Sequence, residues 1–312
     1  MTSTAPLIPP GVWPVMLTPF DDQGAIDRPA LDALVDWYID AGVAGLFAVC
    51  LSSEIYELTA AERLELAARV VAKAGGRVPV VAAGAFGIST DEQAAVARRI
   101  RDTGVTAVVL TVNQLAAEDE PDTIWRERAE AVFDACDGIP LGLYECPRPY
   151  HRTLSPKLLE WAAGTGRVVF YKDTCCSLPV IREKLAAIEG TPLTWFNAHA
   201  PTLLDSLRAG GGGYSSIAAN FIPEPYVRLC RDFEKAPEEA GRLQEFLTRA
   251  QDTIKCAYPR NAKCWLRRLG LPLTTYCRVA CRDLTEEDVK ALDRLREPYS
   301  PVPPHKTSSC RE

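Results

Sequence analysis

The chain has 312 residues, of which 47% are hydrophobic and 24% charged, and its 35 basic and 41 acidic side chains give a formal net charge of −6. This composition is typical of a well-cored globular protein, and the acidic balance gives no electrostatic attraction for nucleic acid or for an anionic membrane surface. No apolar run approaches the ~20 residues of a membrane-spanning helix. The N-terminus shows no secretory signal and the 11 cysteines are scattered, so we expect a reduced, cytoplasmic protein.

Eight short apolar runs alternate with longer amphipathic stretches along the chain. The runs are Val12–Thr18, Ala44–Cys50, Val78–Gly84, Thr106–Val112, Ile139–Glu145, Arg167–Asp173, Leu193–Ala198 and Gly213–Ala219. They lack strict polar alternation, as do strands buried on both faces of a parallel sheet. Helical spacing of apolar residues lies between them, in Ala60–Ala74, Asp91–Arg101 and Pro121–Cys136. The pattern predicts an α/β fold, a (β/α)₈ TIM barrel, with an open doubly wound sheet as the alternative.

Three further helices are predicted after the eighth strand, over Glu238–Ala257, Asn261–Leu269 and Thr285–Arg296. No Ser/Gly-rich linker precedes them, so we expect a barrel over residues 11–235 with a C-terminal helical extension over 236–298 packed against it. The Pro- and Ser-rich ends, 1–10 and 299–312, are expected to be mobile tails.

Reactive side chains of such barrels project from the C-terminal ends of the strands. Strand six ends in Tyr171-Lys172-Asp173, and period-two alternation puts Lys172 on the same face as Val168 and Phe170. If those two fill the barrel interior, the lysine points into an apolar mouth, where desolvation lowers its pKa and lets it form a Schiff base with a ketone. The alternative is a strand-end lysine that reaches solvent.

Two neighbouring regions carry hydroxyl groups. Strand five ends at Tyr144, and adjacent strands lie ~4.8 Å apart, so this phenol could serve the proton transfers of Schiff-base formation and bond cleavage. A core tyrosine with one satisfied hydroxyl is the alternative. After strand two, the turn with Ser52 and Ser53 could hold a carboxylate through its hydroxyls and backbone N–H groups. Serines that only cap the turn are the alternative there.

The order of these motifs resembles the dihydrodipicolinate synthase/N-acetylneuraminate lyase superfamily of class I, Schiff-base-forming aldolase barrels. Members commonly show a TPF segment after strand one, a G-[TS]-T-G-E loop after strand two, Y-x-x-P after strand five and a catalytic lysine at the end of strand six. The corresponding residues here are Thr18–Phe20, Cys50–Glu54, Tyr144–Pro147 and Lys172–Thr174. The stretches GGGGYSSIAAN and AKCWLRRLGLP also resemble the family, so the likeness covers about residues 11–297.

The resemblance implies that Lys172 is the Schiff-base nucleophile and Tyr144 the proton shuttle. It further implies that Ser52, together with the backbone of Ser52 and Ser53, binds the carboxylate of a 2-keto acid. Glu54 matches the loop glutamate, which we interpret as a residue that fixes this loop. The resemblance implies no cofactor, and it suggests a homodimer or a homotetramer.

Four further positions concern the rest of the pocket. Ile217, at the end of strand eight, is expected to line it. His199 and Glu145 are candidates to bind hydroxyls of the distal half of the substrate or to exchange protons with it, and for His199 a hydrogen bond to its own loop is the alternative. Gln114 stands where the synthases carry a tyrosine that reaches into a neighbouring subunit's site; an amide can hydrogen-bond there but cannot relay a proton as a phenol does.

Other departures weaken the likeness to the synthase itself. Leu51 stands where the first hydroxyl residue of the loop is usual, and Pro149 stands where the synthases place an arginine for the second substrate, with Arg148 and Arg152 nearby. Asn197–His199 replaces an acidic, Gly-containing turn. The lysine, the tyrosine and the turn remain, so we expect a lyase acting on a small 2-keto acid rather than dihydrodipicolinate synthase. It would be a pyruvate-releasing aldolase or a 3-deoxy-2-keto sugar acid dehydratase.

Other classes of function are disfavoured but one stays open. His151, His199 and His305 show no metal-binding spacing, so no metal site is expected. The run Gly210–Gly213 leads into a strand rather than out of one, so it lacks the context of a phosphate cradle. The lost relay hydroxyls leave a catalytically retired barrel, which binds a keto acid or acts as an interaction or sensor protein, as the alternative.

Overall fold

Eight parallel strands form the centre of the molecule in the computed structural model, which describes residues 6–84, 86–254 and 256–296. The strands are β1 (Gly11–Val12), β2 (Leu46–Ala48), β3 (Val80–Ala83), β4 (Ala107–Thr111), β5 (Leu141–Tyr144), β6 (Val168–Asp173), β7 (Thr194–Asn197) and β8 (Gly213–Tyr214). Each overlaps one of the eight predicted apolar runs, so the strand prediction is confirmed.

The strands pair in chain order and the sheet closes on itself. β2 to β8 pair consecutively, and β8 also pairs with β1. Ala44 N donates to Val12 O of β1 at 2.9 Å, and Phe47 N of β2 donates to Pro14 O just after β1 at 3.0 Å, which joins the first segment to β2. This closure excludes the open doubly wound sheet, and the α/β class with a TIM-barrel-like fold is confirmed.

Helices follow the strands. They are α1 (Arg28–Asp40), α2 (Ala60–Ala74), α3 (Thr90–Arg101), α4 (Asp122–Ala135), α5 (Pro156–Gly164), α6 (Leu178–Ala187), α7 (Leu203–Arg208), α8 (Pro223–Asp232), α9 (Pro237–Ile254), α10 (Arg260–Arg268) and α11 (Glu286–Asp293). The start of α3 shows how local sequence sets a boundary. Ser89 Oγ accepts from Glu92 N and Glu92 Oε2 accepts from Ser89 N, both at 3.2 Å, which forms a capping box.

Four aromatic rings fill the barrel interior below its C-terminal mouth. The ring centroid of Phe170 lies 5.5 Å from that of Trp13, 5.6 Å from that of Phe47 and 4.9 Å from that of Phe196. A Cβ at Gly45 would come within 2.4 Å of the Trp13 ring, so this packing requires glycine there. Because Phe170 points inward, the residue two positions further along β6 points inward at the mouth. That residue is the lysine singled out by the sequence.

The last three helices, α9 to α11, occupy the region where three were predicted. α9 ends at Ile254 rather than at residue 257, because residues 256–259 form turns. The division into a barrel over 11–235 and an extension over 236–298 stays a prediction, and residues 297 and 298 lie outside the described part. Within that part, no helix combines the length and the apolar character needed to cross a membrane.

The predicted N-terminal tail is only partly described, and the tail over 299–312 lies outside the described residues. Ile8 is buried, and its carbonyl accepts from Thr194 Oγ1 at 2.8 Å. Trp13 Nε1 donates to Pro9 O at 3.0 Å. These contacts place residues 8 and 9 against the barrel, and the mobility of the tail stays a prediction.

Candidate active site

Lys172 and Tyr144 lie side by side at the mouth of the barrel. They are register partners on β6 and β5, and their side-chain environments leave them only 4% and 3% exposed. Lys172 Nζ lies 4.1 Å from the centroid of the Tyr144 ring. Burial lowers the pKa of Lys172 from 10.5 to about 8. A substantial fraction of this amine is therefore neutral near physiological pH, which is the form that attacks a carbonyl.

The Tyr144 phenol is held in an apolar setting with two thiols beside it. Its ring meets Phe47 edge to face, with 5.6 Å between centroids. Burial raises the pKa of Tyr144 well above 10, and the nearby Cys146 and Cys50 raise it further. The phenol therefore stays protonated and can donate or return a proton. Burial also raises the pKa of Cys50, so this thiol stays neutral beside the lysine.

The two serines of the turn after β2 make different contacts. Ser53 Oγ donates to Met16 O at 2.7 Å and accepts from Cys50 N at 3.1 Å, so this hydroxyl holds the turn together. Ser52 is buried as well, with 5% of its surface exposed, but its hydroxyl makes neither of these two bonds. Of the two predicted serine side chains, Ser52 is therefore the one available to a ligand, and Ser53 can contribute only its backbone.

Glu54 fixes this turn from outside. It adopts a left-handed conformation with φ +60°, and its buried carboxylate lies 2.7 Å from Lys263 Nζ on α10. The other carboxylate oxygen accepts from Arg278 N at 2.6 Å and from Val279 N at 2.8 Å. These contacts give Glu54 the loop-fixing part expected for it. They also tie the Ser52–Ser53 turn to the C-terminal helices, which sequence spacing could not reveal.

A tyrosine that the sequence analysis missed adjoins the same turn. Tyr258, in the link between α9 and α10, lies close enough to Ser52 for that hydroxyl to oppose the rise in the Tyr258 pKa. Asn220 Nδ2 donates to Tyr258 OH at 2.8 Å, and Asn220 Oδ1 accepts from Tyr38 OH at 2.7 Å. Burial raises the pKa of Tyr258 strongly, so it too stays a neutral phenol. The only signal in the sequence was its place just before the helix that resembles the family.

Glu145 does not face the barrel mouth. Its carboxylate lies 2.7 Å from Lys184 Nζ on α6 and accepts from Leu154 N at 2.8 Å, from Thr174 N at 2.7 Å and from the Tyr171 hydroxyl. The residue is fully buried on the outer side of β5, because it follows the inward-pointing Tyr144 directly. The expectation that Glu145 contacts the substrate is therefore wrong.

Three other predicted positions, His199, Ile217 and Gln114, lie in the turns that follow β7, β8 and β4. His199 Nδ1 is 3.2 Å from Thr202 Oγ1, and His199 N donates to Asn197 Oδ1 at 2.7 Å, so these two bonds lie within its own loop. Ile217 begins a short 3₁₀ turn after β8 and is partly buried. Gln114 ends a 3₁₀ turn after β4 and is also partly buried. Their roles toward a ligand stay predictions.

Two buried hydroxyls that the sequence analysis did not single out also face the mouth. Thr111 on β4 is the register partner of Tyr144, and Ser215 lies two residues beyond Gly213, the register partner of Phe196. Within the described part of the chain, neither Thr111 Oγ1 nor Ser215 Oγ has a hydrogen-bond partner. A buried hydroxyl without a partner is unfavourable by about 1–3 kcal/mol, so these two are suited to bind polar groups of a ligand.

Arg148 and Arg152 lie near Pro149, the position where the synthases carry an arginine, and they differ in whether their side chains are already hydrogen-bonded. Arg152 is engaged: its guanidinium donates to Ala117 O at 2.9 Å, to Glu120 O at 2.8 Å and to Asp122 Oδ1 at 3.0 Å. Arg148 is exposed. Of the two, only Arg148 is therefore free to turn its side chain toward the mouth.

Taken together, the fold and these groups define a closed parallel α/β barrel with a buried lysine, a phenol and a hydroxyl-bearing turn at its C-terminal mouth. The model of the dihydrodipicolinate synthetase family matches residues 9–297. The chain therefore belongs to this family, as the sequence motifs indicated.

Its relatives include more than one activity. The chain is 29% identical over 278 residues to 4-hydroxy-tetrahydrodipicolinate synthase of Gluconacetobacter diazotrophicus, which spans 87% of this chain and 91% of the relative. It is 27% identical over 286 residues to the probable 2-dehydro-3-deoxy-D-pentonate aldolase YjhH of Escherichia coli K12, over 89% and 93% of the two chains. YagE, an E. coli K12 prophage protein solved in complex with pyruvate, superposes with a TM-score of 0.82 at 24% identity, over 92% and 97%. That likeness shows the fold.

Proposed function

We propose that this protein is a Schiff-base lyase acting on a 2-keto acid, with Lys172 forming the iminium and Tyr144 shuttling protons. The observation that carries the proposal is the buried lysine, with a pKa of about 8, lying 4.1 Å from the ring of a neutral phenol. Membership of a family whose relatives include a synthase and an aldolase supports the lyase class.

The chemistry begins when neutral Lys172 Nζ attacks the C2 carbonyl carbon of the keto acid. Tyr144 donates a proton to the departing oxygen, water leaves, and the resulting iminium accepts electrons from the bond that breaks next. In the aldolase version the C4 hydroxyl loses its proton, the C3–C4 bond breaks and the distal half leaves as an aldehyde. The enamine of pyruvate that remains then takes up a proton at C3 and becomes an iminium. In the dehydratase version C3 loses a proton and the C4 hydroxyl leaves as water. Hydrolysis of the iminium then frees Lys172.

The substrate carboxylate is assigned to the Ser52 hydroxyl and the backbone of the Ser52–Ser53 turn. Glu54 and Lys263 hold that turn, so the C-terminal helical extension is part of the proposed site. Thr111 and Ser215 add two free hydroxyls, which favours a substrate with hydroxyl groups beyond the keto-acid head. A 3-deoxy-2-keto sugar acid fits this chemistry.

Synthesis of dihydrodipicolinate is not proposed. Leu51 and Gln114 lack the relay hydroxyls of the synthases, and Pro149 lacks their arginine, as the sequence analysis noted. Arg152, one of the two possible substitutes, is bonded to the loop before α4. Two relay hydroxyls and one arginine of the synthases are therefore replaced in this chain.

The decisive experiment is reductive trapping. The protein is incubated with pyruvate and borohydride, weighed intact and digested, and we expect one reduced adduct on Lys172. A panel of 3-deoxy-2-keto sugar acids is then assayed for release of pyruvate against loss of water. If no keto acid gives an adduct, the retired barrel is the correct function instead.

The rate of trapping should depend on pH in a way that reports the Lys172 pKa. The pKa is lowered by burial, and the neutral amine is the nucleophile, so the rate should rise with pH and level off above about 8. The measurement is the initial rate of adduct formation at subsaturating pyruvate between pH 6 and pH 10. A rate that still climbs in proportion to hydroxide toward 10.5, as for an exposed lysine, would contradict the desolvated amine.

Replacing Tyr144 with phenylalanine should separate trapping from turnover. The Tyr144→Phe ring keeps its packing on Phe47 and Lys172, but its proton transfers are lost, so we expect turnover to fall about 10²–10⁴-fold while the Lys172 adduct still forms. The exposed Tyr276→Phe is the matched control and should keep wild-type turnover. Turnover of Tyr144→Phe close to that of Tyr276→Phe would remove Tyr144 from the mechanism.

The proposal includes a cytoplasmic homodimer or homotetramer. The ten cysteines of the described part are all free thiols, which supports a reducing compartment. Sedimentation equilibrium of the full chain tests the assembly, and we expect two or four times the 34.2 kDa of one chain. A mass of one chain at micromolar concentration would contradict it.

A further inference from the structure

Thr111 and Ser215 carry hydroxyl groups into the barrel interior. Thr111, the last residue of β4, is the register partner of Tyr144, so both side chains lie on the inner face of the sheet. Tyr214, the last residue of β8, points outward, because its ring stacks on Tyr226 of α8 with 4.2 Å between centroids. Ser215 follows it directly, and its N–H still donates to the last carbonyl of β7 at 2.9 Å. Alternation along this extended chain therefore turns the Ser215 side chain inward.

The two hydroxyls flank the strand that carries Lys172. In a (β/α)₈ barrel, each interior layer is filled by side chains from alternate strands. β4, β6 and β8 are alternate strands, and Thr111, Lys172 and Ser215 are the inward-pointing residues at their C-terminal ends. One hydroxyl therefore lies on each side of the amine, at the mouth into which a keto acid bound to Lys172 extends its remaining carbons.

Thr111 and Ser215 differ in their bonding from a buried hydroxyl that serves the fold. Thr111 is 4% exposed and Ser215 is fully buried, and neither side-chain oxygen has a hydrogen-bond partner among the residues that the structure describes. Ser206 on α7 is equally buried, but its Oγ donates to Leu203 O at 2.7 Å and accepts from Asn197 Nδ2 at 2.9 Å. Burying an unpaired hydroxyl is unfavourable, so two of them at one site are suited to a ligand whose own hydroxyls pair with both.

We propose that Thr111 and Ser215 determine substrate specificity by hydrogen-bonding the C4 and C5 hydroxyls of a 3-deoxy-2-keto acid held on Lys172. The inference rests on the proposed function and deepens it, since it names the residues that distinguish a hydroxylated tail from an apolar one. An apolar tail of equal length leaves both buried hydroxyls unpaired. A site that hydrogen-bonds a substrate hydroxyl discriminates strongly against the analogue that lacks it.

Competition for reductive trapping in the full-length protein tests the proposal. ¹³C-labelled pyruvate and borohydride give a labelled adduct on Lys172, and the unlabelled competitors are 2-dehydro-3-deoxy-D-pentonate and 2-oxopentanoate. These competitors share the same 2-keto acid chain and differ only in the hydroxyls at C4 and C5. We expect the pentonate to halve the labelled adduct at a concentration about a hundredfold lower than 2-oxopentanoate, because its two hydroxyls pair with both side chains.

Thr111→Val and Ser215→Ala should each reduce this preference to about tenfold, because one of the two bonds is lost. Thr194→Val and Ser206→Ala are the matched controls, since each removes a hydroxyl that donates to a backbone carbonyl, at 2.8 Å and 2.7 Å respectively. Both controls should keep the wild-type preference, even where their midpoint of thermal unfolding falls.

Two results would overturn the inference while the Schiff base stands. One is a wild-type protein for which both competitors are equally effective, and the other is a wild-type preference retained in both Thr111→Val and Ser215→Ala. No labelled adduct on the wild type would overturn the inference and the proposed function together.

Discussion

Replacing Lys172 with methionine is expected to abolish turnover and to remove the trapped adduct entirely. The unbranched methionine side chain preserves most of the packing against Phe170 and Tyr144, so the barrel mouth should stay closed and folded. What disappears is the amine, and with it the iminium that accepts electrons when the carbon–carbon or carbon–oxygen bond breaks. Loss of an essential nucleophile lowers kcat by about 10⁴-fold or more.

The measurements are kcat on the best keto acid of the panel and intact mass after borohydride reduction with pyruvate. Lys157→Met, on the exposed face of α5, is the control and should keep both activity and adduct. The melting temperature of Lys172→Met should equal or exceed that of the wild type, because a buried amine with a lowered pKa is replaced by an apolar group. An adduct on the Lys172→Met protein would show that another lysine is the nucleophile.

The fold and the central pair of this site could be predicted from local sequence. Eight apolar runs in regular alternation with helices predicted a barrel, and the closure of β1 against β2 bears this out. Period-two alternation from Phe170 predicted that Lys172 points inward, and the aromatic contacts of Phe170 confirm its premise. These inferences succeed because strand geometry relates residues that are two positions apart.

The same rule explains one error. Glu145 follows the inward-pointing Tyr144, so alternation places it on the outer face, and chemistry alone had suggested a role for it in binding. The buried pair with Lys184 is 39 residues away along the chain. The Glu145 carboxylate, although next to Tyr144 in sequence, thus lies on the opposite face of the sheet from the Tyr144 phenol.

Other parts of the site depend on contacts that no local pattern encodes. Glu54 and Lys263 are 209 residues apart, and their pairing follows from how α10 packs over the barrel mouth. Ser52 and Ser53 are equivalent in composition and differ only because the 3₁₀ turn aims one hydroxyl at Met16 O. Tyr258 meets Ser52 only after the whole barrel has closed. Such groups become visible only in three dimensions.

Replacing Lys184 with methionine is expected to destabilise the fold by about 3–5 kcal/mol. Lys184 is fully buried, with Nζ 2.7 Å from Glu145, 2.6 Å from Asp173 and 3.1 Å from the Tyr171 hydroxyl. Without the ammonium, two carboxylates stay buried and face each other unpaired. Because Asp173 directly follows Lys172, the loss should also loosen the end of β6 and reduce trapping.

The pH dependence of this loss identifies its cause. Burial and the neighbouring Asp173 raise the pKa of Glu145, whereas Lys184 opposes them. Removing Lys184 therefore raises the folded-state pKa of Glu145 further above its unfolded value. A carboxyl whose pKa is raised by folding takes up a proton more readily in the folded state, so the deficit should be largest at neutral pH and shrink as pH falls.

Urea unfolding of wild type and Lys184→Met at pH 7 and at mildly acidic pH measures this deficit. The control is Lys73→Met, which breaks the partly exposed 2.5 Å pair with Asp36 and should cost less than about 1 kcal/mol. If Lys184→Met loses no more than Lys73→Met, or if its deficit grows toward acid pH, the buried carboxylates do not depend on Lys184. A large loss of stability that shrinks toward acid pH would instead show that Lys184 neutralises the buried carboxylates of Glu145 and Asp173. These contacts would then hold the end of β6, from which Lys172 projects.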